Sequence, residues 1–232
     1  GVALLISNHS GAIKVFVQEP AFKENQYLID QIARPTGSAM KPFLYAAWLM
    51  KGGRLSCEDE GDGPCRLDDS YGDEKSTLYI PMARGRQPKF IQNFPYEGRP
   101  RYVGIVEAIQ CLAESRNACT MSAVRGVRGS RIPPRVAKTD ILALAAKLGI
   151  TLPRISSEVA EREGLVTINS RVARELGLPF DTIDPGLTVA IGSVDVSPLQ
   201  LLRAWTGFLG GLVEPYVIEE ISDSAGNQLY VK

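Results

Sequence analysis

The start of the chain alternates between apolar, strand-like runs and a polar turn. Residues 2–7 (VALLIS) and 12–18 (AIKVFVQ) are rich in β-branched side chains, and NHSG joins them. This pattern predicts a β-hairpin, with Gly11 available for a turn position that needs positive φ. Because a two-stranded hairpin is not stable alone, it should belong to a larger sheet, for which the sequence offers few other strands.

A polar connection over 19–34 leads into a segment with helical periodicity. This segment predicts a helix from Thr36 or Gly37 to about Met50, ended by a pair of glycines. Its apolar stripe indicates a helix held deep in a core. The stripe consists of Met40, Phe43, Leu44, Ala47 and Trp48.

The rest of the chain carries shorter helical patterns. Residues 53–100 are rich in glycine, proline and charge, which predicts a long excursion with at most short elements. Later helices are predicted at 103–114, 140–148, 170–176 and from 197 onward. Thr139 is the expected N-cap of the second of these helices, and Ser170 is the expected cap of the third. The residues expected to point inward from these segments are Ile105, Ile109, Leu112, Leu199, Leu202, Trp205, Phe208 and Leu209.

Together these elements predict an α+β fold. It comprises a hairpin at 1–18, a mainly helical body at 36–212 and a hairpin at 213–232 that turns around 224–227. No internal repeat is apparent, and no apolar run is long enough to span a bilayer. A hydrophobic content of 44% with 22% charged residues supports a packed core, and zero formal net charge disfavours nucleic acid as a partner.

Four cysteines form two pairs with the same spacing. Cys57 and Cys65 bracket CEDEGDGPC, whose glycines would let the ends meet as a disulfide in an oxidising compartment. Cys111 lies in a helical pattern and Cys119 beyond its end, so both are interpreted as buried thiols. Neither pair has zinc-ligand spacing and the chain has one histidine, so we expect no metal and no cofactor.

Ser38-Ala39-Met40-Lys41 forms an S-x-x-K at the start of the first predicted helix. Side chains at i and i+3 share a helix face, so the lysine can lie beside the serine. A buried lysine loses its proton more readily than an exposed one and could then activate the serine as a nucleophile. The motif is weak by itself, since roughly one S-x-x-K arises by chance in a chain of this length, and a solvated lysine is the alternative.

A second motif, Ser115-Arg116-Asn117, directly follows the helix predicted at 103–114 and is the only S-x-N in the chain. It displays a serine and an asparagine on a turn. An ordinary helix C-terminal turn is the alternative, because both residue types are common there for backbone reasons.

With their flanking residues, the two motifs resemble the transpeptidase domain of class A penicillin-binding proteins. ARPTGSAMKPFLYAAWL is similar to the family's active-serine segment, and NFPYEGRPRYVGIVEAIQCLAESRNACTMSAV is similar to its second motif. The opening hairpin and LTVAIGSVDVSPLQLLRAWTGFLGGLVEPYVIEEISDSAGN also resemble family segments, in the family's order. The resemblance covers nearly the whole chain. It implies a β-lactamase/transpeptidase-like α+β fold, with the first hairpin in a central antiparallel sheet.

The resemblance also implies a role for each site residue. Ser38 would be the acylated nucleophile, with its backbone N–H in the oxyanion hole, and Lys41 would be its general base. Ser115 would relay protons to the leaving amine, while Asn117 and Gly37 would bind substrate. The implied activity is D,D-transpeptidation that cross-links peptidoglycan stem peptides, with β-lactams as covalent inhibitors. Such chemistry belongs in the periplasm or on the outer face of the bacterial inner membrane.

The family's third motif, a lysine-threonine/serine-glycine that binds the substrate carboxylate, is absent. Lys138-Thr139-Asp140 lacks the glycine and precedes the 187–211 segment instead of following it, so we reject it as a substitute. We expect a partial domain with an incomplete sheet, which needs a C-terminal part in the same or another chain; a degenerate homologue is the third explanation. By itself the chain should show little or no acylation, and we expect it to lack the family's glycosyltransferase domain.

Two other functions stay open at this point. A serine β-lactamase or D,D-carboxypeptidase would share the fold, although the second motif here is Ser-Arg-Asn instead of Ser-Asp-Asn, and the residues around Ser38 look like those of transpeptidases. A non-catalytic scaffold of the cell envelope would keep the fold without the chemistry. Acylation of Ser38 separates the enzymes from the scaffold.

Overall fold

The structure, a computed structural model, describes residues 2–18, 32–70, 79–80, 89–96, 99–124, 132–163 and 165–232. Most of the connection predicted at 19–34 and parts of the excursion at 53–100 lie outside the described residues. The chain forms two compact units. One contains Gly1–Arg34, Ala145–Thr151 and Val196–Lys232, and the other contains Pro35–Leu144 and Leu152–Asp195.

The helices of the described residues are short. None of them is both long and apolar enough to cross a membrane. Single 3₁₀ turns also occur at Gly37–Met40, Leu187–Ile191 and Gly207–Leu209. The α-helices are α1 Lys41–Met50, α2 Ala108–Ala113, α3 Asn117–Ser122, α4 Lys138–Lys147, α5 Ser157–Glu163, α6 Ser170–Leu176 and α7 Pro198–Thr206.

The strands are also short and mostly pair in twos. They are β1 Val2–Ile6, β2 Ile13–Gln18, β3 Arg34–Pro35, β4 Arg66–Asp69, β5 Tyr79–Ile80, β6 Lys89–Phe90, β7 Pro95–Tyr96, β8 Arg99–Pro100, β9 Gly104–Glu107, β10 Asp195–Val196, β11 Glu220–Ser222 and β12 Gln228–Val231. Antiparallel pairs join β1 to β2, β4 to β9, β5 to β6, β7 to β8 and β11 to β12. These small sheets beside the helices confirm the predicted α+β class.

The first unit contains both predicted hairpins. The turn of the β1–β2 hairpin is tied to the later chain, because Ile13 N–H donates to the Tyr216 carbonyl (2.8 Å) and Tyr216 N–H donates to the Gly11 carbonyl (3.1 Å). Gly11 has a φ of +86°, and a Cβ there would lie 2.2 Å from the Glu214 carbonyl oxygen. Glycine is therefore needed at this turn both for its conformation and for the close approach of another backbone.

Helix α7 of this unit begins where predicted, but its apolar side chains are less buried than expected. Its N-cap is Ser197, whose hydroxyl accepts the N–H of Gln200 (3.3 Å). The expectation that Trp205 and Phe208 lie in the core is wrong, because each is 38% exposed. The apolar face of α7 instead borders an open groove of about 410 Å³, lined by Leu4, Pro198, Leu201, Leu202 and Trp205.

The second unit has the deepest core. Helix α1 packs against α2 and against the Leu187–Ile191 turn, which also contacts α3 and the Gly37–Met40 turn. The predicted apolar stripe is confirmed, since each of its five side chains is at most 2% exposed. The structure therefore fixes the start of α1 in a rigid, fully packed environment.

The helix predicted at 103–114 is wrong in its first half. Strand β9 occupies that half and pairs with β4, and α2 begins only at Ala108. Ile105 and Ile109, expected to point inward, are 43% and 42% exposed, while Ala108 and Cys111 are buried. The backbone of β9 is satisfied by a strand far away in the sequence, which a local periodicity cannot reveal.

Two helix caps also differ from the prediction. Thr139 lies inside α4, and the side chain of Asp140 accepts a backbone N–H just ahead of that helix (2.8 Å). The cap of α6 is Asn169 instead of Ser170, because the Asn169 side chain accepts the backbone N–H two residues on (2.9 Å). Helix boundaries are uncertain by one or two residues in any pattern, so a cap is easily misplaced by one position.

Both cysteine pairs form disulfides, Cys57 with Cys65 and Cys111 with Cys119. The expectation of buried thiols at Cys111 and Cys119 is wrong. Helix α3 follows α2 after a three-residue connection, which brings the two Cα atoms to 6.1 Å, within the ordinary disulfide range.

Candidate active site

Ser38 lies on the 3₁₀ turn just ahead of α1. The residue before it, Gly37, has a φ of +56° and donates its N–H to the Gly192 carbonyl (3.0 Å). The Ser38 carbonyl accepts the backbone N–H of Lys41, which continues the turn into the helix. The Ser38 side chain is exposed, and its hydroxyl makes no hydrogen bond with the described residues. A ligand can therefore reach it.

Lys41, the first residue of α1, is buried, with 1% of its surface exposed. Its Nζ donates to Ser115 Oγ (3.0 Å) and to the Ser115 backbone carbonyl. Among the described residues, no carboxylate forms an ion pair with this amine. Burial lowers the pKa of Lys41 from 10.5 to about 8, because desolvation disfavours the charged form. The amine is thereby poised to exchange a proton near neutral pH.

Ser115 occupies the connection between α2 and α3 in a left-handed conformation. Its φ is +53°, and it is the only non-glycine residue with positive φ in the described part of the chain. Its N–H donates to the Leu112 carbonyl (3.0 Å), which closes the end of α2. A left-handed non-glycine residue persists only where its surroundings hold it, and such residues concentrate at functional sites. Here the conformation offers both Ser115 oxygens to one lysine.

Asn117 is the first residue of α3, and its side chain bonds to a residue outside the Lys41–Ser115 pair. Its Nδ2 donates to the Gln92 carbonyl (2.9 Å), and it makes no hydrogen bond to Ser38, Lys41 or Ser115. The structure thus joins the Lys41 and Ser115 side chains directly, while the side chains of Ser38 and Asn117 have no hydrogen bond to that pair among the described residues. Catalytic hydrogen bonds are often long in unliganded sites and tighten only with substrate.

A buried carboxylate, Asp69, supports the turn that carries Ser115. It is fully buried at the end of β4. Its Oδ2 accepts Arg116 Nη1 (2.8 Å) and the Val103 N–H (3.1 Å), and its Oδ1 accepts Asn93 Nδ2 (2.9 Å). Buried charges are tolerated when paired and hydrogen-bonded in this way. Asp69 therefore fixes the middle residue of the second motif.

Asn93 completes this support from another part of the chain. Its Oδ1 accepts the Ala118 N–H (3.0 Å) in the first turn of α3, and its Nδ2 also donates to the Arg101 carbonyl (2.8 Å). Sequence reasoning did not find Asp69 or Asn93. The one available signal was that Asn93 opens the NFPYEG stretch, which belongs to the segment resembling the second motif.

The described residues offer no evident metal site, since no three or more His, Cys, Asp or Glu side chains cluster there. The geometry places a buried amine against the Ser115 hydroxyl, and an accessible serine hydroxyl lies one helical turn before that amine in the chain. Such an arrangement suits nucleophilic catalysis by serine.

Known proteins are similar to nearly the whole chain. Penicillin-binding protein 1A from Haemophilus influenzae is 25% identical over 229 residues, which cover 97% of this chain and 20% of that protein. The chain thus spans about one fifth of the length of the curated relatives it matches. No protein-family model matches it.

Solved structures share the fold. Penicillin-binding protein A from M. tuberculosis, as a penicillin G acyl-enzyme complex, matches with a TM-score of 0.63 at 15% identity, covering 100% of this chain and 51% of that one. The chain has the fold of penicillin-binding protein transpeptidase domains. Penicillin-binding protein 1A from Haemophilus influenzae matches with a TM-score of 0.60 at 23% identity, covering 100% of this chain and 27% of that one. These relatives are penicillin-binding proteins, and one of the similar structures carries penicillin G as an acyl-enzyme.

Proposed function

We propose that this chain belongs to a peptidoglycan D,D-transpeptidase and contributes the group that becomes acylated, Ser38. The observation that carries the proposal is the position of the buried Lys41 amine. The amine donates to both oxygens of Ser115, and Lys41 follows the accessible Ser38 by one helical turn. The similarity to penicillin-binding proteins over nearly the whole chain supports the same assignment.

In the proposed reaction, Ser38 Oγ attacks the penultimate D-alanine carbonyl of a stem peptide. Neutral Lys41 takes the hydroxyl proton as the new C–O bond forms. Ser115 Oγ, bonded to Lys41, passes a proton to the leaving D-alanine nitrogen as the C–N bond breaks. The amine of a second stem peptide then attacks the ester, and its proton returns to Ser38 by the same route.

The surrounding groups would orient the substrate. The Ser38 backbone N–H would donate to the developing oxyanion, and a second donor would come from the C-terminal part of the domain, which is a proposed partner in the same or another chain. Gly37 leaves space beside the serine, since nothing lies within 4 Å of a Cβ placed there. Asn117 Oδ1 accepts no hydrogen bond from the described residues and would accept a substrate amide N–H.

The two disulfides support a location in the cell envelope. Disulfides persist in oxidising compartments such as the bacterial periplasm and are rare in the cytosol. We therefore place the protein in the periplasm or at the outer face of the inner membrane, where stem peptides and β-lactams are encountered.

The rate of acylation should rise with pH as Lys41 loses its proton. Only the neutral amine can accept the serine proton, and a pKa of about 8 leaves roughly one tenth of Lys41 neutral at pH 7. We expect the second-order rate constant for acylation by a fluorescent penicillin to increase about tenfold between pH 7 and pH 9, with a midpoint near the Lys41 pKa. A rate that does not change over this range would contradict the role of Lys41 as base.

The reaction class is tested with the full-length protein, a peptide ending in D-Ala-D-Ala and an amine acceptor. Mass spectrometry of the products should show the donor joined to the acceptor with release of D-alanine, and Ser38→Ala should abolish this product. Hydrolysed donor without any joined product would favour a carboxypeptidase, and turnover of penicillin would favour a β-lactamase. If the folded protein reacts with neither the peptide nor penicillin, the result would favour a non-catalytic scaffold of the cell envelope.

A further inference from the structure

The second disulfide closes the segment that contains the whole second motif. Cys111 lies in α2 and Cys119 in α3, so their bond spans the connection that carries Ser115 and Asn117. The other disulfide, Cys57–Cys65, has the same sequence separation of 8 but encloses none of the site residues. The chain thus contains two loops of equal span, of which only one holds the site.

Hydrogen bonds to the backbone of both cysteines connect the Cys111–Cys119 bridge to its surroundings. The Cys111 carbonyl accepts the Arg116 N–H (3.0 Å), directly after Ser115. The Cys119 carbonyl accepts Ser122 Oγ (2.7 Å), which in turn accepts the Asp68 N–H from β4 (3.0 Å). A displacement of Cys111 would therefore be transmitted to the turn, and a displacement of Cys119 to the contact between α3 and β4.

Ser115 needs this constraint because of its conformation. A φ of +53° is unfavourable for serine and would relax in an unconstrained loop. Relaxation would rotate the Ser115 carbonyl relative to its side chain. The two oxygens could then no longer share one lysine amine, as they do here.

We propose that the Cys111–Cys119 disulfide is a positioning element that holds Ser115 in its left-handed conformation against Lys41. This inference rests on the proposed function for its catalytic consequence. Arg116 and Asp69 fix the turn from one side, and the disulfide fixes the separation of the two helices that the turn joins. Loss of the disulfide leaves Ser38 in place and misplaces its proton relay.

The burial of the bridge indicates a permanent constraint and not a redox switch. Cys111 and Cys119 are both fully buried, whereas Cys57 and Cys65 are partly exposed. Thiol–disulfide exchange requires access to the sulfur, so a mild reductant should open Cys57–Cys65 first. Reduction under native conditions is therefore expected to spare acylation.

The test compares two double variants of the full-length protein, Cys111→Ala/Cys119→Ala and Cys57→Ala/Cys65→Ala. We expect the first to lower the rate constant for Ser38 acylation by a fluorescent penicillin by about 10- to 100-fold, as for a catalytic group misplaced by about 1 Å. The second, which removes a loop of the same span, should leave the rate unchanged. An unchanged rate in folded Cys111→Ala/Cys119→Ala protein would overturn the proposal.

Coupling to Ser115 distinguishes positioning from general destabilisation. In a Ser115→Ala background, removal of the Cys111–Cys119 bridge should lower the acylation rate much less than in the wild type, because the hydroxyl that it positions is already gone. An equal loss in both backgrounds would mean that the bridge acts only on the stability of the protein, and would refute the positioning role.

A second readout does not depend on acylation. Labelling of Lys41 with an amine-reactive reagent across pH, mapped by mass spectrometry, should give a higher midpoint without the bridge, because an opened turn would hydrate the amine. If the wild type is not acylated at all, the proposed function fails, and the positioning role of the bridge is then tested only by the pH midpoint of Lys41 labelling. An unchanged midpoint would then refute it.

Discussion

Replacement of Lys41 by methionine should slow acylation of Ser38 by at least about 100-fold without destabilising the protein. The base contributes a factor of about 10²–10⁴ to reactions of this type, so we expect at least the lower value to be lost. The side chain is buried and has no ion-pair partner among the described residues. A buried amine opposes folding, and an apolar side chain of similar length avoids that cost. Denaturant unfolding of Lys41→Met should therefore give a free energy of unfolding equal to or above that of the wild type.

Lys41→Arg is the matched control for this prediction. Arginine keeps a cation and donors that can reach Ser115, but its guanidinium does not give up its proton. It should be as inactive as Lys41→Met in the same acylation assay, and less stable because a permanent charge is then buried. An active Lys41→Arg protein would show that charge and not basicity is what Lys41 supplies.

Replacement of Gly192 by alanine should slow acylation of Ser38, although Gly192 is far from Ser38 in the sequence. A Cβ at Gly192 would lie 1.9 Å from the carbonyl oxygen of Gly37 and 2.4 Å from its nitrogen, and the φ of Gly192 is +84°. Both contacts are backbone atoms, so the substitution must displace the residue that precedes the nucleophile. We expect a loss of about 10²-fold in the acylation rate, as for a displacement of about 1 Å at a reacting group.

Gly186→Ala separates the effect of space from that of backbone strain. Gly186 also has positive φ, +66°, and precedes the same 3₁₀ turn, but nothing lies within 4 Å of a Cβ there. Its ψ of −163° places it in a region that is almost restricted to glycine, so the substitution should lower the free energy of unfolding by about 1–3 kcal/mol and leave acylation nearly unchanged. Equal losses of acylation in both variants would mean that strain alone, and not contact with Gly37, causes the defect.

Local sequence patterns were sufficient to predict elements that periodicity or a neighbouring strand defines. The stripe of α1 predicted a deeply buried helix, β-branched runs around a turn predicted the first hairpin, and a turn around 224–227 predicted the last one. Strand β9 could not be recognised in this way, because its partner β4 lies inside the 53–100 excursion, where at most short elements were expected. Its residues Ile105 and Val106 are β-branched, but the helical spacing of the following residues obscured that signal.

The site shows the same division between local and long-range information. Spacing alone brought Ser38 and Lys41 to the start of one helix, and the resemblance added Ser115. The direct bond between Lys41 and Ser115 joins residues 74 positions apart and required the structure. Asp69 and Asn93 were missed for the same reason, since each supports the second motif from a separate segment.

The cysteines illustrate a signal that was present and misread. The two pairs have equal spacing, but Cys111 lies in a helical pattern and Cys119 beyond its end, which favoured two buried thiols over a disulfide. The three-residue connection after α2 reverses that expectation by bringing α3 back against α2. The length of a connection decides whether cysteines on successive helices can meet, and periodicity alone does not give it.

The central claim is that Ser38 is the residue acylated, with Lys41 as its base. The most direct measurement treats the folded full-length protein with a penicillin and maps the adduct by mass spectrometry. We expect one penicilloyl group on the peptide that contains Ser38, absent from Ser38→Ala and strongly reduced in Lys41→Met. An adduct on another residue, or no adduct from folded wild-type protein, would contradict the account.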